Sequence, residues 1–234
     1  MYVKSLWSSH DQIICIFHQT NLLMEKAYRN LGYAFALLIP ITFLGFYKTY
    51  FMHLPKGNAG DMYNHLHALA ASAWLFMLIA QPLLIRYKKV TLHRALGKSS
   101  YVIFPLLILS FIPQMMKSYQ NGSSLLHPIF DILLLVPFYY MAMKNVKDVT
   151  VHMRYMIGTA LIFIGPTLGR ICGIWLGLGG ALSEIIPYGG SILLLVVLIY
   201  WDKANSRNYQ PYKIILSGFI VYFIALMTNV FIAI

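Results

Sequence analysis

The sequence predicts an all-α, polytopic integral membrane protein, a seven-transmembrane-helix bundle with its N-terminus in the cytoplasm. Three observations carry that reading. Of 234 residues, 59% are hydrophobic and only 11% are charged, where a soluble domain has about 25% charged residues. Apolar runs long enough to cross a bilayer recur along the chain. Basic residues gather in alternate connections between those runs, as orientation signals do.

Residues 1–30 are mixed in character and predict an N-terminal surface segment, possible as an amphipathic helix lying on the membrane. The apolar core at 13–17 is too short for a signal peptide, and no small-residue cleavage pattern follows. Met24 stands just before the first apolar run and is a plausible start, so residues 1–23 are expected to be dispensable. Residues 31–234 form a single membrane domain, because no polar linker is long enough to divide them. The first span covers 31–50, and a loop with Pro55, Gly57, Gly60 and Asp61 follows. The second span is built on 68–85, which rises roughly 27 Å as a helix and nearly matches the hydrocarbon core. The third covers 99–116 and is closed by the turn signal Asn121-Gly122-Ser123-Ser124. The fourth covers 128–143 and the fifth 154–176. A glycine-rich stretch precedes the sixth at 185–201, and the seventh covers 214–234. Gly173 and Gly177 have the spacing of a small-residue packing contact.

The net charge of +11 does not mark a nucleic-acid binder, because the cations sit in short loops between apolar runs. They cluster at Lys4, Lys26 and Arg29, at Arg86 to Lys98, at Lys144 to Arg154, and at Lys203 to Lys213. The intervening regions hold only Lys48, Lys56 and Lys117, and Arg170 belongs to the fifth span itself. This alternation places the C-terminus outside. The bilayer is the partner the composition implies. Cys15 and Cys172 imply no disulfide framework.

Within the second span, His67, Trp74 and Gln81 recur every seven residues and share one stripe. A glutamine at hydrocarbon depth needs a partner, so the stripe is expected to line the bundle, with the second span central. Thr159 is expected to line it from the fifth span. The remaining polar residues fall into two layers. The outer one includes His65, His67, His127, Asp131, Arg170 and Glu184. His65, His67, His127 and Asp131 are candidate ligands for a transition metal (Zn, Fe or Cu), with interfacial histidines that snorkel to headgroups as the plainer alternative. Asp131 and Arg170 are expected to pair, either as a structural bridge or around a bound anion or haem propionate. The cytoplasmic layer holds His93, Arg94, Asp148, His152 and Arg154, where a histidine could carry protons or the whole set could simply meet headgroups. No Walker motif, dinucleotide fingerprint, nucleophile elbow or HExxH occurs, and the last span has no interior lysine for a retinal Schiff base.

The stretches GFYKTYF at Gly45 to Phe51, HLHALAASAW at His65 to Trp74, HRALG at His93 to Gly97 and HMRYM at His152 to Met156 follow one another in a fixed order. In this they resemble a recurrent bacterial family of uncharacterised multi-pass inner-membrane proteins. The resemblance covers about 31–170 and implies an inner (plasma) membrane location without supplying an activity. A looser likeness to b-type cytochrome membrane subunits implies haem. However, His67 and His93 are separated by about 39 Å of helix, too far for a two-haem stack.

Three functions follow as expectations. The first is a metal- or haem-binding factor, redox-linked or acting in maturation, with its site at the outer face. The second is a small-molecule or proton-coupled carrier using the stripe and Arg170. The third is an accessory subunit of another membrane complex.

Overall fold

The computed structural model describes residues 28–232, and every described helix runs in one antiparallel bundle with no strand among the described residues. The expected surface segment falls largely on residues outside the described ones. Tyr28, at its end, is buried in the core.

Seven helical stretches follow one another: α1 (Leu31–Tyr47), α2 (Met62–Arg86), α3 (Val90–Gln120), α4 (Leu126–Lys144), α5 (Val149–Trp175), α6 (Ala181–Ala204) and α7 (Gln210–Ile232). Six of them, α2 to α7, are long and apolar enough to cross a membrane, while α1 is shorter. Their outward faces carry large apolar side chains such as Leu69, Phe76, Leu109, Leu133, Leu193 and Val221. A row of such residues in water would be an aggregation surface, whereas in a bilayer it is the lipid contact.

Prolines account for two helix breaks. Pro40 withholds an N–H from the carbonyl of Ala36, and α1 divides into Leu31–Ala36 and Leu38–Tyr47 at that point. Pro166 does the same to Ile162, and α5 is interrupted at Phe163. The Thr167 hydroxyl then donates to the Phe163 carbonyl at 2.6 Å. Two wider, π-type turns follow, at Ile171–Trp175 and Ile185–Gly189. Helix starts are capped where the sequence offers an acid. Asp61 accepts from the Asn64 N–H at the head of α2, and Asp148 accepts from the N–H groups of Thr150 and Val151 at the head of α5.

The most enclosed helix is α5, with 50% of its apolar window buried against 22% for α2. The expectation that the second span would be central is therefore corrected. Residues 153–162 are almost continuously buried, and this part of α5 touches both α4 and α7. The stripe on α2 does face protein. Trp74 is fully buried between Phe104 and Tyr139, with ring centroids 5.1 and 5.5 Å away.

Close helix approach uses glycines other than the expected pair. Gly177 has φ +65° and turns the chain out of α5, with nothing near its α-carbon, and Gly173 meets only the Leu178 carbonyl. Instead α1 meets α5 at Gly45, where a β-carbon would lie 2.7 Å from the Thr167 carbonyl oxygen. That neighbour is backbone and cannot step aside. Gly190, by contrast, sits in a helix with open space around it. Gly45→Ala should lower stability by about 1–3 kcal/mol. Gly190→Ala should leave it unchanged or raise it by about 0.5–1 kcal/mol. Melting curves of the two variants in detergent test the pair, and equal losses would contradict this packing.

Candidate functional site

The bundle has two unlike ends. One carries the connections at 87–89, 145–148 and 205–209 and is rich in Lys and Arg. The other, formed by 48–61, 121–125 and 176–180, surrounds a cavity of about 690 Å³. A volume of that order suits a small organic molecule.

The cavity is walled by α1 to α5 and closed at its rim by Glu184 of α6. Its floor is apolar, made by Leu75, Leu107, Leu135 and Ile162. Its upper wall carries the charge. The Arg170 guanidinium donates to the Pro166 carbonyl at 2.7 Å and lies 4.3 Å from the centre of the Phe46 ring. A guanidinium has five N–H donors, so one carbonyl leaves further donors on a residue that lines the cavity. Asp131 is buried and accepts from the Tyr222 hydroxyl at 3.3 Å, and Tyr222 is also bonded to Tyr188 at 2.9 Å. His127 meets Glu184 at 3.1 Å, and His67 Nδ1 meets the Ser110 hydroxyl at 2.8 Å. The Thr42 hydroxyl oxygen is buried there with no hydrogen-bond partner among the described residues.

The rim is pinned by three contacts. The Trp175 indole donates to the Leu44 carbonyl at 3.0 Å, and Lys48 lies 4.2 Å above the same indole. On the far side Lys117 pairs with Asp61 at 2.7 Å, and this contact holds the Asp61 carboxyl below the usual carboxylate range. The Trp175 and Lys48 contacts join α1 to α5, which are not consecutive in the chain, and the Lys117 pair ties the outer ends of α2 and α3, so together they fix the width of the mouth.

The expected outer residues divide between neighbours. His65 lies outside the lining and bonds to Tyr50 at 2.7 Å, while His67, His127 and Asp131 line the cavity with partners of their own. Among the described residues no three His, Cys, Asp or Glu side chains converge as a metal-ligand group. Asp131 and Arg170 line the same cavity and interact electrostatically, but no direct ion pair joins them. The break at Pro166 turns Arg170 toward α1 and its own helix, and Asp131 points to α7. Trp74, Gln81 and Thr159 are not part of this lining. Thr159 is fully buried and donates to the Met156 carbonyl at 2.7 Å.

The expected cytoplasmic cluster also separates. Asp148 is used as a helix cap, His152 bonds to the Ala142 carbonyl at 2.8 Å, and His93 to the Gln81 carbonyl at 3.3 Å. Arg94 has no part in these contacts among the described residues. Arg154 instead enters the core and meets Asp202 of α6 at 2.8 Å, with both side chains fully buried. Tyr28 donates to the other Asp202 oxygen at 2.8 Å, Tyr212 donates to Tyr28 at 3.2 Å, and Arg207 approaches Asp202 at 3.8 Å. Sequence reading missed Asp202 because it sits beside Lys203 at the end of an apolar run and looks like a solvated helix end. The available signal was its sign, a lone acid in a basic region.

Removing one partner of a dry pair strands the other charge. Asp202→Asn should therefore destabilise the protein by about 3–5 kcal/mol, whereas Arg154→Met combined with Asp202→Leu should recover much of that loss. Thermal unfolding of the two variants decides it, and a mild single variant would show the pair to be wet.

Compared with known proteins, the chain matches no protein-family model, no curated protein and no solved structure.

Proposed function

We propose that the protein is a carrier for a small polar organic solute, with seven spans, a cytoplasmic N-terminus and its cavity open to the outer side of a bacterial inner membrane. One observation carries this reading: a cavity of about 690 Å³ that combines an apolar floor with Arg170, Asp131 and Glu184 in its wall. Charged side chains at membrane depth are costly and mark ligand paths when they line a cavity. The basic residues at the opposite end support the orientation. The shorter α1 completes the count of seven, since Leu31–Tyr47 is apolar and packs along α2 and α5. Among the described residues the histidines form no three-ligand metal group, while the cavity is formed, so the carrier is the reading we favour.

Purified protein in liposomes should take up at least one member of a panel of small amino acids, monocarboxylates, amines and polyols. Arg170→Gln should abolish that uptake while the protein still folds. A panel that gives neither uptake above empty liposomes nor a shift in melting temperature would overturn the reading. Orientation has its own check. A cysteine placed at the exposed Ser123 should react with a membrane-impermeant thiol reagent added outside intact cells. Reaction only after the cells are opened would reverse the topology.

A further inference from the structure

Helix α2 continues below the cavity floor with two polar side chains whose hydrogen-bonding groups are not satisfied. Trp74 is fully buried, yet among the described residues its indole N–H has no acceptor. Seven residues on, both the oxygen and the nitrogen of the Gln81 amide are buried without a partner among the described residues. Buried polar groups are nearly always paired, and an exception calls for an explanation. Here two of the residues concerned, Trp74 and Gln81, fall on one stripe that begins at His67 in the cavity and descends roughly 10 Å per step.

The surroundings of the two differ. Trp74 belongs to an aromatic cluster in which Phe104 and Tyr139 stack at 3.9 Å and the Tyr139 hydroxyl meets Ser100 at 2.8 Å. This cluster lies against the leucine floor and fills the bundle from α2 to α4. Gln81 lies beyond it, toward the basic end. Gly97 faces it from α3, and a β-carbon built there would lie 3.7 Å from the Gln81 amide nitrogen. His93 bonds to the backbone carbonyl of Gln81, and His152 lies within electrostatic reach of His93.

We propose that Gln81 is a second solute-binding station, separated from the cavity by the gate of Trp74, Phe104 and Tyr139, so that cavity, gate and station form one path along α2. This rests on the carrier reading. It also narrows the solute. The Gln81 amide offers donors and an acceptor but no charge, and the groups beside it are imidazoles. Arg170 in the cavity is matched by carboxylates. A compact solute that is neutral or zwitterionic, with both donor and acceptor groups, suits both stations. A solute of high net charge suits neither.

The test uses the full chain with Cys15→Ser and Cys172→Ser, reconstituted into sealed vesicles of known orientation. Single cysteines are introduced as Ser72→Cys, which lines the cavity, and as Gln81→Cys. A membrane-impermeant methanethiosulfonate reagent is added to one side at a time. Ser72→Cys should be labelled from the cavity side, and failure there would sink the carrier reading itself. Gln81→Cys should be labelled from the basic side only. Adding Trp74→Ala should raise its labelling from the cavity side several-fold. Unchanged labelling in the Trp74→Ala background, with Ser72→Cys still reactive, would overturn the gate and the station while sparing the cavity. If Trp74→Ala does not fold, Phe104→Ala opens the same cluster from α3 and is read in the same way.

Discussion

Bringing a guanidinium and a carboxylate together where neither meets water constrains the whole basic end of this bundle. Arg154 and Asp202 are both fully buried. Desolvating two charges is recovered only by close geometry and further hydrogen bonds. Tyr28 and Arg207 therefore gather on the same carboxylate, and Tyr212 donates to the Tyr28 hydroxyl. Through them α5, α6, α7 and the start of the described chain are held at one point. Arg154 also donates to the Thr150 carbonyl at 2.9 Å, which keeps the first turn of α5 wound around its own charge. With that end fixed, variation is left to the opposite end, where the helices break, widen and surround the cavity.

The elements were legible in the sequence for a simple reason. A helix that must satisfy its own backbone in hydrocarbon writes itself as an apolar run, and the seven runs correspond to seven helical stretches. What the runs do not encode is which helix is innermost. The second run carries Trp74 and Gln81 and looks central. In fact α5 is, because Gly158 lets Ile215 close on it and because its charge is matched from α6. Of the cavity, the sequence places His67, His127, Asp131, Arg170 and Glu184 in one outer layer, but among the described residues no metal-ligand group forms from them and Asp131 and Arg170 share the lining without a direct ion pair. Spacing along a helix gives the facing direction only while the helix is regular. Past Pro166 and into the π-type turn at Ile171–Trp175, the direction of Arg170 is set by the break and not by the count from Thr159. Phe46 and Thr42 were missed because an aromatic and a threonine inside an apolar run carry no signal of their own.

The irregular turns are concentrated where the cavity is. The π-type turns at Ile171–Trp175 and Ile185–Gly189 stand on either side of the connection from α5 to α6. Such turns widen a helix and redirect its side chains. Together with Pro166 they let α5 cross the bundle tightly packed below and splay above, so the same helix serves as core at one end and as cavity wall at the other. Gly165 fits this change of role, because a β-carbon there would lie 2.6 Å from the Tyr188 ring.

The hydrogen bond between Tyr28 and Asp202 links residues 174 positions apart. During synthesis the N-terminal part leaves the ribosome first, so Tyr28 and Arg154 both reach the membrane before the acid that unites them exists in it. Five helices have to be held in register until the sixth delivers Asp202, and closure of the basic end is a late event in biogenesis. Truncated chains that stop short of α6 therefore lack the carboxylate that Arg154 and Tyr28 share.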